Sequence, residues 1–219
     1  MKYIYKVGVE LEGGWNRRPL RKVIVEDRSV RTQLNHNGEI NSPAFSDLDA
    51  LEEWLVAHRP DGVDTSCGFH IHLSFKSRMD YLRLTTPRFY RFLLKIIKAW
   101  AIEKEIPETH HFWKRFRGTF RAPNGRNFCR KDFTPETQLY ETRKGPDGSA
   151  RHCHLNFCWT LHKTLELRLF PGWETERSAL YMSGVHCFVE AVEKFLLRER
   201  KRKVNNIKLK LEPFKRRPR

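Results

Sequence analysis

The sequence predicts an α+β domain: a mostly antiparallel, curved sheet with helices packed on one face. Three observations predict it. Four segments alternate apolar and polar residues at a period of two, which makes strands with one buried and one polar face. Three further segments carry apolar residues at helical spacing. The 219 residues, 39% hydrophobic and 12% aromatic, suffice to bury one sizeable core.

The clearest strand is CGFHIHLSF, Cys67 to Phe75. Gly68, His70, His72 and Ser74 fall on one side, and Phe69, Ile71, Leu73 and Phe75 on the other. Met1 to Glu12 forms the first strand, with Val7, Val9 and Leu11 opposite Gly8, Glu10 and Glu12. Gly13-Gly14 ends it. Lys22 to Asp27 reads as a short strand, Asn35 to Gly38 as a turn, and Gly38 to Phe45 as an extended piece stopped by Pro43, with Glu39 and Asn41 on a shared face. Ser46 caps a helix through His58, with Asp49 three residues on and Leu48, Leu51 and Leu55 as its buried stripe. Thr86-Pro87 opens a longer helix to about Lys104, whose Phe89, Leu93, Ile96, Ile97 and Trp100 share one face.

Ile106 to Ala150 keeps no period and is rich in Gly and Pro, so it reads as a lid or substrate-binding insert. In His152 to Trp159, His152, His154, Asn156 and Cys158 alternate with apolar or small residues. Thr164 to Phe170 pairs with it, Thr164, Glu166 and Arg168 lying opposite Leu165, Leu167 and Leu169. Thr175 caps the last helix, striped by Tyr181, Val185, Phe188, Val192, Phe195 and Leu196. The helix then dissolves into a basic tail. The expected division is a catalytic domain over 1–197, with its insert at 106–150, and a tail over 198–219.

The formal net charge is +16. From Lys194 to Arg219, twelve Lys and Arg against Glu199 and Glu212 place +10 of it in the last 26 residues. A second basic stretch, Lys114 to Lys131, is interleaved with Phe116, Phe120 and Phe128 and preceded by Phe112 and Trp113. Such segments suit a polyanion, including nucleic acid; the plainer alternative is a solvated basic surface. No run of eighteen apolar residues is present, so no membrane partner is expected. MKYIYKVGVELE enters a strand directly, without the apolar core of a signal peptide, so cytoplasmic residence is expected. The five cysteines are an odd number without metal-knuckle spacing, and free thiols are expected.

The polar strand faces collect Glu10, Glu12, Glu39, His70, His72, His152, His154, Asn156, Glu166 and Arg168. Carboxylates on one face repel unless a cation lies between them. Acids with an imidazole suit Mg2+ or Mn2+, with Zn2+ as the softer alternative, and an Arg beside them suits phosphate or carboxylate. Together they describe a phosphoryl-transfer site. There is no Walker-type or dinucleotide glycine loop, so any ATP is held by the sheet and its metals.

VGVELE, GEINSP, CGFHIHLSF and LELRLF, in this order, resemble the amidoligase family of the glutamine synthetase and glutamate–cysteine ligase superfamily. The resemblance spans about Val7 to Gly172. It implies a glutamine synthetase catalytic-domain-like fold and an ATP-dependent carboxylate–amine ligase with Mg2+ or Mn2+. It implies Glu10, Glu12, Glu39, His70 and Glu166 as metal ligands. His72, Ser74, Arg168 and Asn156 are implied as nucleotide contacts, with His72, Arg168 and Arg151 in the catalytic roles. The implied partners are a carboxylate and an amine; no motif defines an oligomeric state. The basic insert and tail fall outside the resemblance and raise an anionic or polymer-borne substrate, nucleic acid among them.

Two readings compete. His70-Ile71-His72 also fits the metal motif of a His-hydrophobe-His single-strand DNA nickase, and Tyr140 and Lys144 have the spacing of its nucleophile. That reading leaves Glu10, Glu12, Glu166 and Arg168 unexplained. A non-enzymatic nucleic-acid-binding protein explains the charge, but its phosphate-binding surface would avoid the acids.

Overall fold

The computed structural model describes residues 1–16, 24–25, 30, 32–121, 125, 127, 129–135 and 152–211. Six strands form one sheet: β1 (Ile4–Trp15), β2 (Ile24–Val25), β3 (His36–Asn41), β4 (Gly68–Phe75), β5 (Leu155–Cys158) and β6 (Thr164–Pro171). Their order is β2-β3-β1-β4-β6-β5, and every neighbouring pair is antiparallel. The α+β class and the antiparallel sheet follow the alternation in the sequence.

The apolar strand faces and the helices share one core. Val7, Val9 and Leu11 of β1, Phe69, Ile71 and Leu73 of β4, and Leu165, Leu167 and Leu169 of β6 are each at most 2% exposed. The helices are α1 (Leu48–His58), α2 (Arg78–Leu84), α3 (Pro87–Glu103), α4 (His111–Arg117), α5 (Trp159–His162) and α6 (Ala179–Leu211). The cap of α1 is Asp47, one residue later than the Ser46 reading: its side chain accepts the Asp49 N–H. In α3, Thr86 caps and Pro87 opens as expected, and Phe89, Leu93, Ile97 and Trp100 are buried. The expected stripe of α6 is also buried, from Tyr181 to Leu196. A single 3-10 turn, Thr175–Arg177, precedes α6, and the helix continues to Leu211, past the end of its apolar stripe. No helix among the described residues is long and apolar enough to cross a membrane. All five cysteines are free.

Three helices escaped the sequence reading: α2, α4 and the four-residue α5. Ser77 caps α2, and Asp80 within it is buried beneath Arg83 and Arg200. His110 caps α4 through its ring. Helix α4 changes the meaning of the aromatic insert. Phe112, Trp113 and Phe120 are buried, so they offer no stacking platform for bases. Arg115 is 2% exposed, and its Nη2 donates to the carbonyls of Thr65, Ser66 and Cys67. Part of the basic insert is therefore core, and it braces the loop that leads into β4.

Candidate metal centre

Strand register builds the site. Glu10 of β1 lies opposite Asn41 of β3 and His70 of β4; Glu12 lies opposite Glu39. One rung along, Gly8 faces His72, His72 faces Glu166 of β6, and Glu166 faces Asn156 of β5. Side chains two residues apart share a sheet face, so these rungs stack acids and imidazoles on the face away from the core.

The resulting contacts are close. His70 Nδ1 lies 2.9 Å from Glu10 Oε1 and 3.7 Å from Glu166 Oε1, and its Nε2 lies 3.8 Å from Glu12 Oε1. His72 Nε2 is 3.4 Å from Glu10 Oε2 and 4.0 Å from Glu166 Oε1. Arg168 Nη1 donates to Glu166 Oε1 at 2.6 Å, and Asn156 Nδ2 to Glu166 Oε2 at 2.9 Å. Glu12 Oε2 accepts the Gly68 N–H at 2.5 Å. Asn41 Nδ2 donates to Glu39 Oε1 at 2.6 Å. Glu12, His70, Asn156, Glu166 and Arg168 are all at most 9% exposed. A cleft of about 810 Å3 has Glu10, Glu39, His72, Asn156, Glu166 and Arg168 in its wall. That volume lies within the usual range for small-molecule sites.

Gly68 is required by proximity. A Cβ there would stand 2.6 Å from His70 Nε2 and 3.0 Å from Glu12 Oε2. The glycine that opens the His strand lets a β1 acid and a β4 imidazole converge.

The charges are held by one another. Burial opposes ionisation of Glu10, but His70, His72 and Arg168 hold its carboxyl far below the usual range. Burial likewise opposes Glu166, yet Arg168, His72 and His70 bring it down to about 2. His72 is raised: burial works against its charge, and the Glu10 hydrogen bond and Glu166 charge outweigh it. Glu39 goes the other way, pushed up to about 8 by burial and then by the neighbouring Glu10 charge. At neutral pH it keeps a proton for Glu10.

Two donor sets can surround an ion: Glu10, Glu12 and His70, and Glu10, His72 and Glu166, the atoms in each set lying within 4.8 Å of one another. Oxygen-rich sets with single imidazoles fit Mg2+ or Mn2+. His70 Nδ1 supports the fit. It is buried and close to Glu10 Oε1, but no acceptor among the described residues is aligned with it for a hydrogen bond. An imidazole nitrogen and a carboxylate oxygen at that spacing, poorly aligned with each other, suit a third body between them.

A third cluster, His110, His111 and Glu174, lacks a free imidazole at His110. His110 Nδ1 accepts the Phe112 N–H, so the ring proton sits on Nε2, which faces Glu174 at 3.4 Å. A ring engaged at both nitrogens has no lone pair left for a metal.

The other sequence-predicted residues divide. Ser74 lines the cleft, but its hydroxyl is engaged with the backbone of Lys6, accepting the N–H at 3.1 Å and donating to the carbonyl at 3.3 Å. His154 belongs to the core. Strand β5 begins only at Leu155, and the residues before it pair with Arg130. The His154 ring lies between Tyr90 Oη at 2.9 Å and the Arg115 carbonyl at 2.8 Å. Arg151, Tyr140 and Lys144 lie outside the described residues, as do 212–219 of the tail. Tyr5 and Lys6 line the cleft and were missed. Alternation counted back from Val7 turns Tyr5 towards the core, whereas it is 55% exposed.

Comparison of the chain with protein-family models, with curated proteins and with solved structures returns no match.

Proposed function

We propose that this chain is an ATP-dependent carboxylate–amine ligase that works through an acyl phosphate. The observation that carries the reading is the convergence of Glu10, His72, Glu166 and Arg168 on one wall of one cleft, with donor atoms of Glu12 and His70 within 4.8 Å of Glu10. A binding surface for nucleic acid has no use for a cluster of three acids, two of them buried; a metal-assisted phosphoryl-transfer site needs them.

Glu10, Glu12 and His70, with Glu166, would hold Mg2+ or Mn2+. The bound ion supplies charge neutralisation at the phosphate oxygens. The protein's own groups do the rest. Arg168 is fixed by Glu166 through Nη1, and its Nε is buried without a hydrogen-bond partner among the described residues. The guanidinium lines the cleft, so its charge is held in place for the transferring phosphoryl group. His72, on the same wall, adds a second donor to phosphate. Asn156 holds the far oxygen of Glu166, fixing the carboxylate that fixes Arg168. The substrate carboxylate attacks the γ-phosphorus and ADP leaves. The amine nitrogen then attacks the acyl carbon, inorganic phosphate leaves with the C–O bond electrons, and the ammonium proton passes to solvent.

The test follows ADP and phosphate release with ATP, Mg2+ and pooled carboxylates and amines. Substrate-dependent ADP release, lost in Glu10→Gln, is expected. Cleavage of single-stranded DNA with a covalent adduct lost in Tyr140→Phe would replace the ligase with the nickase.

A further inference from the structure

We infer that Tyr5 and Lys6 form the nucleoside end of the cleft, Tyr5 stacking on the base and Lys6 pairing with the phosphate nearest the ribose; this rests on the ATP-dependent reading above. The observation behind it is a backbone irregularity. In the β1–β4 ladder, Ile4 pairs with Phe75 and Lys6 with Ser74, so two steps on β1 match one step on β4. Tyr5 is the extra residue of a β-bulge. A bulge turns two successive side chains to one face and re-aims them. Ile4 is 1% exposed and Val7 is fully buried, while Tyr5 and Lys6 between them both line the cleft.

The bulge is held in place. Where the ladder slips, the Lys6 backbone takes the Ser74 hydroxyl as partner at both its N–H and its carbonyl. This gives Ser74 a task the sequence did not disclose: it fixes the two residues that reach the ligand.

What those residues offer is specific. Tyr5 presents an aromatic face at 55% exposure, and Lys6 Nζ lies 5.4 Å from its centroid. The Lys6 ammonium pairs with no carboxylate among the described residues, in a cleft whose other end is rich in acids. An aromatic face beside an unpaired cation recognises a planar base next to an anion. The spacing also fits. Glu10 and Tyr5 are separated by four regular strand steps once the bulge is discounted, on the order of 13 Å at 3.3 Å per residue. An extended nucleoside triphosphate with its terminal phosphates at Glu10 and Glu166 lays its base at that distance. Gly8 leaves the floor between them open, since a Cβ there would meet nothing closer than 3.7 Å.

The experiment is calorimetric titration, in Mg2+, of a non-hydrolysable ATP analogue and of inorganic tripolyphosphate. Wild type, Tyr5→Ala, Tyr5→Phe and Lys6→Gln are compared. Wild type should prefer the nucleotide. Tyr5→Ala should weaken the nucleotide by about tenfold or more, the scale of one base–aromatic stack, and leave tripolyphosphate unchanged. Tyr5→Phe should restore the preference. Lys6→Gln should weaken the nucleotide severalfold. Nucleotide binding in wild type that is unaltered in Tyr5→Ala and Lys6→Gln overturns this inference and leaves the ligase reading standing. Tripolyphosphate binding without nucleotide preference also overturns it alone. No binding of either ligand by wild type removes the ATP reading itself, and this inference with it.

Discussion

Replacing Gly68 with Ala adds one methyl group and should disable the metal centre. The backbone at Gly68 lies outside the left-handed region, so Ala meets no torsional penalty there. Its N–H to Glu12 Oε2 is retained. The only conflict is steric: the new Cβ would stand 2.6 Å from His70 Nε2 and 3.0 Å from Glu12 Oε2. Ordinary contact begins at 3.4 Å, so the His70 ring must retreat by about 0.8 Å. The ring is 2% exposed and has little room. Moving it off its rotamer costs about 0.5–1.5 kcal/mol. Metal–ligand bonds tolerate deviations of only about 0.2 Å, so two displaced ligands should cost on the order of 10- to 100-fold in affinity.

Manganese binding followed by electron paramagnetic resonance reads this directly, with thermal unfolding run alongside to register the smaller loss of stability. Gly8→Ala is the control, because its Cβ would approach nothing within 3.7 Å. It should bind Mn2+ as wild type does. If Gly68→Ala also binds within about twofold of wild type, His70 and Glu12 do not share an ion, and the geometric argument falls.

Three further outcomes are expected. Glu166→Gln leaves the buried Arg168 guanidinium without its carboxylate, and should destabilise the fold by about 3–5 kcal/mol in urea; adding Arg168→Met should recover much of that, and additive losses would deny the coupling. Mn2+ affinity should climb with pH towards about 8 and flatten above it, because Glu39, once it loses its proton, adds a negative charge beside Glu10 that favours the ion; a flat profile would deny that Glu39 acts on the site. Stability should also fall in acid through His154, which burial holds down to about 4 against an ordinary 6.5. The unfolded chain takes up that proton first, so stability is complete above pH 6.5 and declines towards pH 4 by about 3 kcal/mol at most; His154→Gln should flatten that stretch of the urea profile, and an unchanged slope would place the acid sensitivity elsewhere.

The strands that build the site were legible because each has one face in the core and one in the cleft. Val7, Val9 and Leu11, or Phe69, Ile71 and Leu73, mark the core side so sharply that Glu10, Glu12, His70 and His72 follow as their alternates. Alternation fails where the strand is not regular. It could not show the bulge at Tyr5, which depends on Ser74 sixty-nine residues away taking over a backbone partner. It also carried the β5 pattern back to His154, whose N–H donates to the Arg130 carbonyl and whose ring lies against Tyr90. Helix α4 was invisible for a related reason: seven residues are too few for a period, and its cap is an imidazole in place of the usual hydroxyl or carboxylate.

These departures share a cause in the charge balance of the sheet. Glu10, Glu12 and Glu166 stand too close together to be buried as bare anions, and the protein answers with Arg168, a raised His72 and a proton kept on Glu39. Each answer needs an exact placement. Arg168 is positioned in β6 beside the register shift between Phe69 and Ile71, and its backbone N–H donates to the His154 carbonyl. Gly68 gives up its side chain so that His70 and Glu12 can meet. The irregular positions are thus where the fold yields to the site. A divalent ion would replace the borrowed protons with a charge of its own. Metal binding should therefore be accompanied by proton release, measurable as a buffer-dependent heat of binding; heats identical in buffers of different ionisation enthalpy would refute that exchange.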